Sequence, residues 1–566
     1  MDNPDGIFVL PDDTIQRQSM SEPAQVVKQT LEHIPALSER YESLNYEILE
    51  NSLYLEEIKR PKHQGLVWRR AINRWLVCFL TGVVTACIGA FINVVLELII
   101  HWKFRTVQYF FNQCEVGSCL VLPLLVWIGI NLLFTFVACF LVVFISGPVA
   151  AGSGIPQIKC FLNGIKIPGV VSLKTLCSKF LGVLFSVAGG LSVGKEGPMI
   201  HSGACVAARI SQGKTSDGSR GIDFRVFQYY RTDAELRDFV ASGAAAGVAA
   251  AFGAPIGGVL FSLEEGASFW NQSLTWRMFF ASMTCGFVLN LIMSAARGRP
   301  GDIGYVGLVN FGVFNSNTMF NAFDFILYIA FGVIGGLLGA LFNYINYRLT
   351  LYRMQYARSK WKKMCEALLV SVASACAAFA AILFISDCVP VKKRAIPAYT
   401  IQMSCPDGYY SVVASFFMQA PEGSVTSLFH ADSDVYQPTS LAVFAVVEYF
   451  LALWTYGVSV PSGLFIPSLL VGAAWGRLLA VGIGSFYPLD DRLGLYALAG
   501  AAAQLGGNVR MTISLCVILI EATHNVAFGL PLMIVLMIAK WVGDLFIELA
   551  QLDGIGCEEI NIHSFN

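Results

Sequence analysis

The chain has 566 residues, of which 55% are hydrophobic and 14% are charged, and its mean hydropathy is +0.60. These values lie outside the usual range of soluble globular proteins, so we expect most of the chain to sit in lipid. The formal net charge is −1 and the sequence pI is near 6.7. No basic excess therefore favours nucleic acid as a partner, and any ion specificity must come from local geometry.

The apolar sequence divides the chain into a tail, a membrane region and a second tail. Residues 1–70 are polar and end in a cluster of Lys and Arg, which predicts a cytoplasmic N-terminal tail. Residues 71–549 form the predicted transmembrane domain, and 550–566 form a short polar C-terminal tail. Because Gly, Pro or charged residues interrupt many apolar blocks, we expect tilted, broken and partly re-entrant helices. The blocks, about eleven, lie near 75–100, 120–145, 170–193, 239–263, 277–294, 323–347, 365–386, 440–456, 464–485, 495–520 and 527–549.

Charge and small residues add three expectations about the connections and the packing. The basic connections at 211–237 and 348–363 are predicted to face the cytosol. The polar stretch 387–437 is placed on the opposite side, where disulfides between Cys114 and Cys119 and between Cys388 and Cys405 are candidates. Runs of Gly and Ala at 241–247 and 251–258 predict helices that approach one another closely.

Three pentads of the form Gly-x-x-x-Pro, at 152–156, 194–198 and 463–467, lie against apolar sequence. Each predicts a helix that begins inside the membrane, because glycine permits the turn and proline suits the first helical turn. Several first-turn N–H groups converging on one point would offer a partial positive field suited to an anion. A single pentad is more typical of a plain helix cap or packing turn, but three in one apolar chain favour an anion site. Ser153 would add a hydroxyl donor, and Leu464 and Phe465 would add backbone N–H donors.

Acidic residues at two places in this apolar sequence are candidates for a role in transport. Glu196 lies inside the second pentad, where in a soluble protein an acid would simply complement the helix dipole. Inside a membrane an ionisable residue is a functional candidate. Its carboxylate is predicted to occupy the anion site and to swing away when protonated. Glu264 and Glu265 are adjacent and point about 100° apart on a helix, so one is interpreted as structural and the other as a proton relay.

The pentads Gly-Ser-Gly-Ile-Pro, Gly-Lys-Glu-Gly-Pro and Gly-Leu-Phe-Ile-Pro, in this order, resemble the motifs of the CLC chloride channels and transporters. The strings at 148–164, 270–272 and 41–46 resemble the late-endosomal and lysosomal branch of that family. The resemblance implies an all-α polytopic membrane protein with the CLC fold. That fold has tilted, partly broken helices in two inverted repeats, and the protein is a homodimer with one pore per subunit.

The same resemblance implies a chloride/proton antiporter of endosomal and lysosomal membranes and not an enzyme. Chloride would be bound as substrate, and neither a cofactor nor a metal is expected. Glu196 matches the family's gating glutamate, and Glu265 matches its proton glutamate. Ser153, Leu464 and Phe465 match its chloride-binding residues. The other residues of the selectivity motifs are Gly152, Gly154, Pro156, Gly194, Lys195, Gly197, Pro198, Gly463 and Pro467.

Two departures from the family pattern lie near the C-terminus. The branch carries a tyrosine soon after Gly-Asp-x-Phe in the last membrane helix, and here Gln551 stands at that place. The paired CBS domains of the branch, which would carry nucleotide regulation, do not follow. Two alternatives to the antiporter therefore stay open: an uncoupled chloride channel, and a truncated, non-transporting subunit that modulates full-length partners.

The resemblance also concerns a partner. In the lysosomal relatives a glycosylated single-span β-subunit accompanies the dimer.

Overall fold

The computed structural model describes most of the chain between residues 61 and 552. The described residues are 42–43, 61–117, 121–214, 227–266, 268–301, 311–312, 314, 321–385, 387–390, 402–403, 405–406, 408–431, 435–484, 486 and 492–552. The predicted tails at 1–70 and 550–566 lie mostly outside this part, as does the side chain of Gln551.

Eight helices form the first part of the described chain. They are α1 Pro61–Gly117, α2 Val121–Phe140, α3 Ile155–Leu162, α4 Leu173–Ala188, α5 Glu196–Gln212, α6 Asp233–Phe252, α7 Pro255–Phe261 and α8 Gln272–Ala296. Two π-helical segments continue α2 and α7, at Leu141–Ser146 and Ser262–Gly266. Short 3₁₀ helices occupy Pro148–Ala150 and Gln228–Tyr230.

Nine further helices form the rest of the described chain. They are α9 Ala322–Tyr356, α10 Lys360–Phe384, α11 Val412–Phe417, α12 Pro421–His430, α13 Pro438–Thr455, α14 Phe465–Gly484, α15 Leu493–Val509, α16 Ile513–Thr523 and α17 Gly529–Leu552, with a 3₁₀ turn at Val526–Phe528. Two small antiparallel pairs complete the described secondary structure: β1 Glu42–Ser43 with β2 Ile165–Lys166, and β3 Cys388–Pro390 with β4 Tyr409–Ser411.

Eight helices in the described residues are long and apolar enough to cross a membrane: α1, α2, α8, α9, α10, α13, α14 and α17. Other predicted apolar blocks form shorter or interrupted helices. The block at 239–263 divides into α6 and α7 at Gly253, and the block at 495–520 divides into α15 and α16 at Arg510. Both residues have positive φ angles, 67° and 64°, which end a helix. The prediction of an all-α membrane fold with partly broken helices is confirmed.

The first apolar block, at 75–100, is not broken, although its polar residues predicted an interruption. Helix α1 runs for 57 residues without interruption. Its polar side chains have partners on other helices instead, because Arg74 pairs with Glu235 and Asn93 accepts a hydrogen bond from Lys195. A polar residue in an apolar block therefore marks a contact here rather than the end of a helix.

Close helix packing occurs where the sequence predicted it. A Cβ built on Gly247 of α6 would lie 2.7 Å from the Met199 carbonyl oxygen of α5. A Cβ on Gly258 of α7 would lie 2.5 Å from the Ala245 carbonyl oxygen. Neither position has room for a larger residue, so the small-residue runs bring α5, α6 and α7 together. These helices form one wall of the site described below.

One of the two candidate disulfides lies within the described residues. Cys388 and Cys405 are bonded, with Cα atoms 5.7 Å apart, and they join β3 to the polar connection that follows it. This pairing was a candidate in the sequence and is confirmed. The side chains of Cys114 and Cys119 lie outside the described residues.

Candidate functional site

The three pentads meet through backbone hydrogen bonds. The Gly152 N–H donates to the Val460 carbonyl over 3.0 Å, and the Ser462 N–H donates to the Gly152 carbonyl over 3.2 Å. Gly194 and Gly463 exchange two such bonds, of 2.8 and 2.9 Å. Segments more than 250 residues apart in sequence are thus joined as short β-bridges inside a helical protein.

A helix begins at or next to each pentad: α3 at Ile155, α5 at Glu196 and α14 at Phe465. A Cβ built on Gly197 would lie 2.7 Å from the Ser153 Cβ and 3.6 Å from the Gly463 Cα. The three helix N-termini therefore converge, as predicted, and their first-turn N–H groups supply a partial positive field without a full cation. Such a field suits an anion that must both bind and leave.

Glycine is required at the first pentad for two reasons. Gly152 and Gly154 have φ angles of 62° and 84°, in the left-handed region that L-residues with a Cβ rarely adopt. In addition, a Cβ at Gly154 would overlap the imidazole ring of His201. That ring is fully buried, and its Nε2 is bound to the Val170 carbonyl at 2.8 Å, so it supports the turn from behind.

The Glu196 side chain lies at the point of convergence. It is only 1% exposed, and neither carboxylate oxygen makes a hydrogen bond of normal geometry in the described part of the chain. The backbone N–H groups of Lys195 and Glu196 itself face the carboxylate. One carboxylate oxygen lies against Gly194, where a Cβ would be 3.4 Å from the Ile466 backbone nitrogen in the first turn of α14. The carboxylate therefore sits in the positive field of the helix starts.

Lys195 does not neutralise Glu196. Its ammonium group donates to the Asn93 Oδ1 at 2.7 Å and forms an ion pair with the Glu422 Oε1 at 2.9 Å. Neither partner could be predicted from the sequence, because Asn93 lies 102 residues and Glu422 lies 227 residues from Lys195 and neither belongs to a local motif. The basic residue of the second pentad is thus bound to α1 and α12, and the acidic residue beside it is left unpaired.

The hydroxyl group of Ser153 lies at the start of α3, where it accepts a long hydrogen bond from the Ile155 N–H at 3.4 Å. The phenol hydroxyl of Tyr456 lies within hydrogen-bonding reach of the same serine. The Tyr456 backbone is held by Arg353, whose Nη1 donates to the Tyr456 carbonyl at 2.7 Å. Tyr456 immediately follows α13 and lies in none of the pentads, so no motif in the sequence marks it.

The two adjacent acids separate into different environments. Glu264 accepts hydrogen bonds from the Thr512 N–H at 2.9 Å and the Ser514 N–H at 2.7 Å, so it caps the start of α16. Glu265 instead pairs with Lys159 of α3 at 3.2 Å and lines a small cavity beside that helix. One acid holds a helix end, and the other faces the helix that begins beside Ser153.

A multi-pass membrane protein in which three helix starts surround a buried carboxylate is the class that this fold and site define. The family model described as voltage gated chloride channel matches residues 134–544. The chain belongs to this family, the CLC family.

Curated relatives and solved structures agree with this assignment. The chain is 50% identical over 542 residues to the human H(+)/Cl(-) exchange transporter 7, covering 95% of this chain and 66% of the relative. It is 36% identical to chloride channel protein C of Dictyostelium discoideum, covering 90% of this chain and 67% of that relative. The chain spans about two thirds of the length of the curated relatives it matches.

Two solved structures share the fold. A eukaryotic CLC transporter aligns with a TM-score of 0.60 at 25% identity, covering 84% of this chain and 72% of that one. A slow cyanobacterial Cl-/H+ antiporter aligns with a TM-score of 0.64 at 20% identity, covering 85% of this chain and 97% of that one. The second likeness shows the fold alone.

Proposed function

We propose that this protein is a chloride/proton antiporter in which Glu196 is both the gate of the anion pathway and a proton acceptor. The observation that carries the proposal is the buried, unpaired Glu196 carboxylate at the meeting point of three helix starts. An ionised carboxylate and a halide ion compete for such a field, because both are anions of single charge. The names of the exchange transporter relatives support the same activity.

Proton binding and chloride binding are coupled through this competition. When Glu196 is ionised, its carboxylate takes the place of chloride among the N–H groups. When it is protonated, the helix starts no longer hold it, and chloride takes its place. The backbone N–H groups of Leu464 and Phe465 and the hydroxyl of Ser153 are the proposed donors to the ion. Because these are dipoles rather than full charges, chloride remains free to leave.

The second proton site is proposed to be Glu265. Its carboxylate is partly exposed, lies beside α3, and is paired with Lys159 rather than used to cap a helix. The hydrogen bonds that fix Glu264 to α16 support assigning this role to Glu265 rather than to Glu264. The proton route would then run between Glu265, which lies beside α3, and Glu196.

The setting of the exchanger is also part of the proposal. Late-endosomal or lysosomal membranes are supported by the strings at 148–164, 270–272 and 41–46 that resemble that branch. We propose a homodimer in the bilayer that works without a bound cofactor. A glycosylated single-span β-subunit is a further proposed partner.

Reconstituted protein in liposomes tests the proposal. An outward chloride gradient should drive proton movement in the opposite direction, measured in parallel with a chloride electrode and a pH electrode. Glu265→Ala should let chloride move while proton movement falls to background. Chloride flux without proton movement in the wild type, and no change in Glu265→Ala, would favour the uncoupled channel. No flux in any condition would favour the non-transporting subunit.

A further inference from the structure

A cavity of about 90 Å³, with a mostly apolar wall that carries two charged side chains, lies beside the segment that leads into Glu196. Its volume is large enough for several water molecules or one hydrated ion. Leu191, Ser192 and Val193 line it directly before the second pentad, and Pro467 lines it from the third. Gln419 also lines the cavity and belongs to the stretch predicted to face away from the cytosol, so we expect the cavity to lie on that side of the gate.

Lys103 of α1 brings a buried positive charge to this cavity. The residue is 2% exposed, and its ammonium group donates to the Ala188 carbonyl at 2.9 Å. That bond uses one of the three N–H donors that an ammonium group carries. Asn131, which is 1% exposed, also lines the cavity, and its amide oxygen has no hydrogen-bond partner in the described part of the chain. The Lys103 ammonium group therefore has donors left for an anion, whereas the Asn131 amide oxygen is an acceptor and would need a donor such as water.

Glu448 of α13 brings the opposite charge. It is 8% exposed, and its carboxylate accepts a hydrogen bond from the Ser192 hydroxyl at 2.5 Å. Among the described residues, Lys103 and Glu448 are the two charged residues that line the cavity, and they are not in contact as an ion pair. The neighbouring charges, Lys195 and Glu422, already neutralise each other. Net charge inside the cavity is therefore zero when Glu448 is ionised and +1 when it is protonated.

We propose that this cavity is a second anion site, which holds a small monovalent anion on its approach to Glu196, and that protonation of Glu448 opens it to the anion. The inference rests on the proposed exchange of chloride for protons. An anion in the cavity supplies the counter-charge that a buried ammonium group needs. With Glu448 ionised, that counter-charge is already present and the anion is repelled. The Ser192 hydroxyl, two residues before Gly194, donates to the Glu448 carboxylate. This bond links Glu448 to the segment that leads into the second pentad.

The test measures the chloride dependence of exchange in liposomes while the pH on the cavity side is varied from about 7.5 to about 4.5, across the range in which protein carboxyl groups titrate. Wild type should show a falling apparent KM for chloride as the pH falls. Glu448→Gln should lower the KM about threefold to tenfold at the higher pH, because the amide carries no charge, and should reduce the pH dependence of the KM to the part that Glu196 causes. Lys103→Met should raise the KM at every pH, and Lys103→Arg should restore it in part.

Two controls keep the outcome clear. Glu97→Gln makes the same charge change on α1 at an exposed position and should leave the chloride KM unchanged. Chloride-dependent thermal stabilisation of the purified protein provides a second readout that does not require transport, and it should weaken in Lys103→Met. If Lys103→Met does not fold, the double variant Lys103→Gln with Glu448→Gln takes its place, and because it lacks the ammonium group its chloride-dependent stabilisation should be weaker than that of the wild type.

The inference is overturned if the wild type exchanges chloride for protons normally but Glu448→Gln keeps the wild-type KM and pH profile. It is equally overturned if Lys103→Met folds and binds chloride as the wild type does. A wild type that moves no protons against a chloride gradient would instead refute the proposed function. The two failures are therefore distinguishable in the same assay.

Discussion

The backbones of Gly194 and Gly463 exchange two hydrogen bonds, of 2.8 and 2.9 Å. This pair fastens the segment that carries Glu196 to the segment that carries Leu464 and Phe465. Because the two segments are locked at the backbone, the Glu196 side chain can move without displacing the N–H groups that face it. A fixed set of donors and a mobile carboxylate are what competition between the carboxylate and an anion requires.

Gly197→Ala is predicted to displace Ser153. The added methyl group would lie 2.7 Å from the Ser153 Cβ, closer than packed carbon atoms approach. Forcing an extra methyl into such a packed site costs about 1–3 kcal/mol. We expect a lower unfolding temperature and a higher KM for chloride. Gly129→Ala in α2, where a Cβ would meet nothing within 4 Å, is the matched control and should leave both quantities unchanged. Equal behaviour of the two variants would refute the close contact.

Glu422→Gln is predicted to destabilise the protein. The Lys195 side chain is 4% exposed, so its ammonium group would lose a charged partner in a nearly dry environment. Removing one member of a buried ion pair costs about 3–5 kcal/mol, and here the Asn93 bond and the partial exposure of Glu422 reduce that loss. Thermal unfolding in detergent measures it. The double variant Lys195→Met with Glu422→Gln should recover part of the stability; no recovery would show that the pair is not coupled.

Removing Glu264 is predicted to lower the stability of the protein, and removing Glu265 is predicted to uncouple proton movement from chloride movement. Glu264→Ala removes the cap of α16 and should cost about 1–2 kcal/mol of stability while chloride and proton movement stay coupled. Glu265→Ala should keep the unfolding temperature and lose proton movement. The two variants form a matched pair, since they remove the same group at neighbouring positions. Loss of coupling in Glu264→Ala alone would reverse the assignment.

Tyr456→Phe is predicted to weaken chloride binding at Ser153. The substitution removes only the hydroxyl that lies within reach of the serine, and it keeps the ring that packs against Phe342. One hydrogen bond from this hydroxyl to Ser153 or to the bound ion is worth about 0.5–1.5 kcal/mol, so the KM for chloride should rise about twofold to tenfold. Tyr449→Phe, which loses a hydrogen bond to the Leu338 carbonyl, is the control for hydroxyl loss elsewhere on α13. A KM unchanged in Tyr456→Phe would remove that hydroxyl from the site.

The helix starts and their glycines were predictable from the sequence because each is a local pattern. Gly-x-x-x-Pro places a turn and a helix start within five residues, and an acid inside such a pattern stands out in apolar sequence. The roles of Glu196, Glu265 and Ser153 in transport stay predictions until they are measured. The sequence therefore predicts which residues form the site, namely the helix starts, their glycines and the acid among them.

The partners of those parts were not predictable, because they come from distant elements with no motif of their own. Asn93 and Glu422 reach Lys195 from α1 and α12, and Tyr456 reaches Ser153 from the end of α13. The same limit explains the uninterrupted α1. Its polar residues looked like breaks only because their partners on other helices were unknown.

The most direct test of the account is proton and chloride flux through Glu196→Gln in liposomes. The amide has the size of a protonated carboxyl group but cannot release or accept a proton. We predict that chloride moves down its gradient while proton movement driven by chloride falls to background. Proton movement that stays coupled to chloride in Glu196→Gln would contradict the central claim that this carboxylate is both gate and proton acceptor.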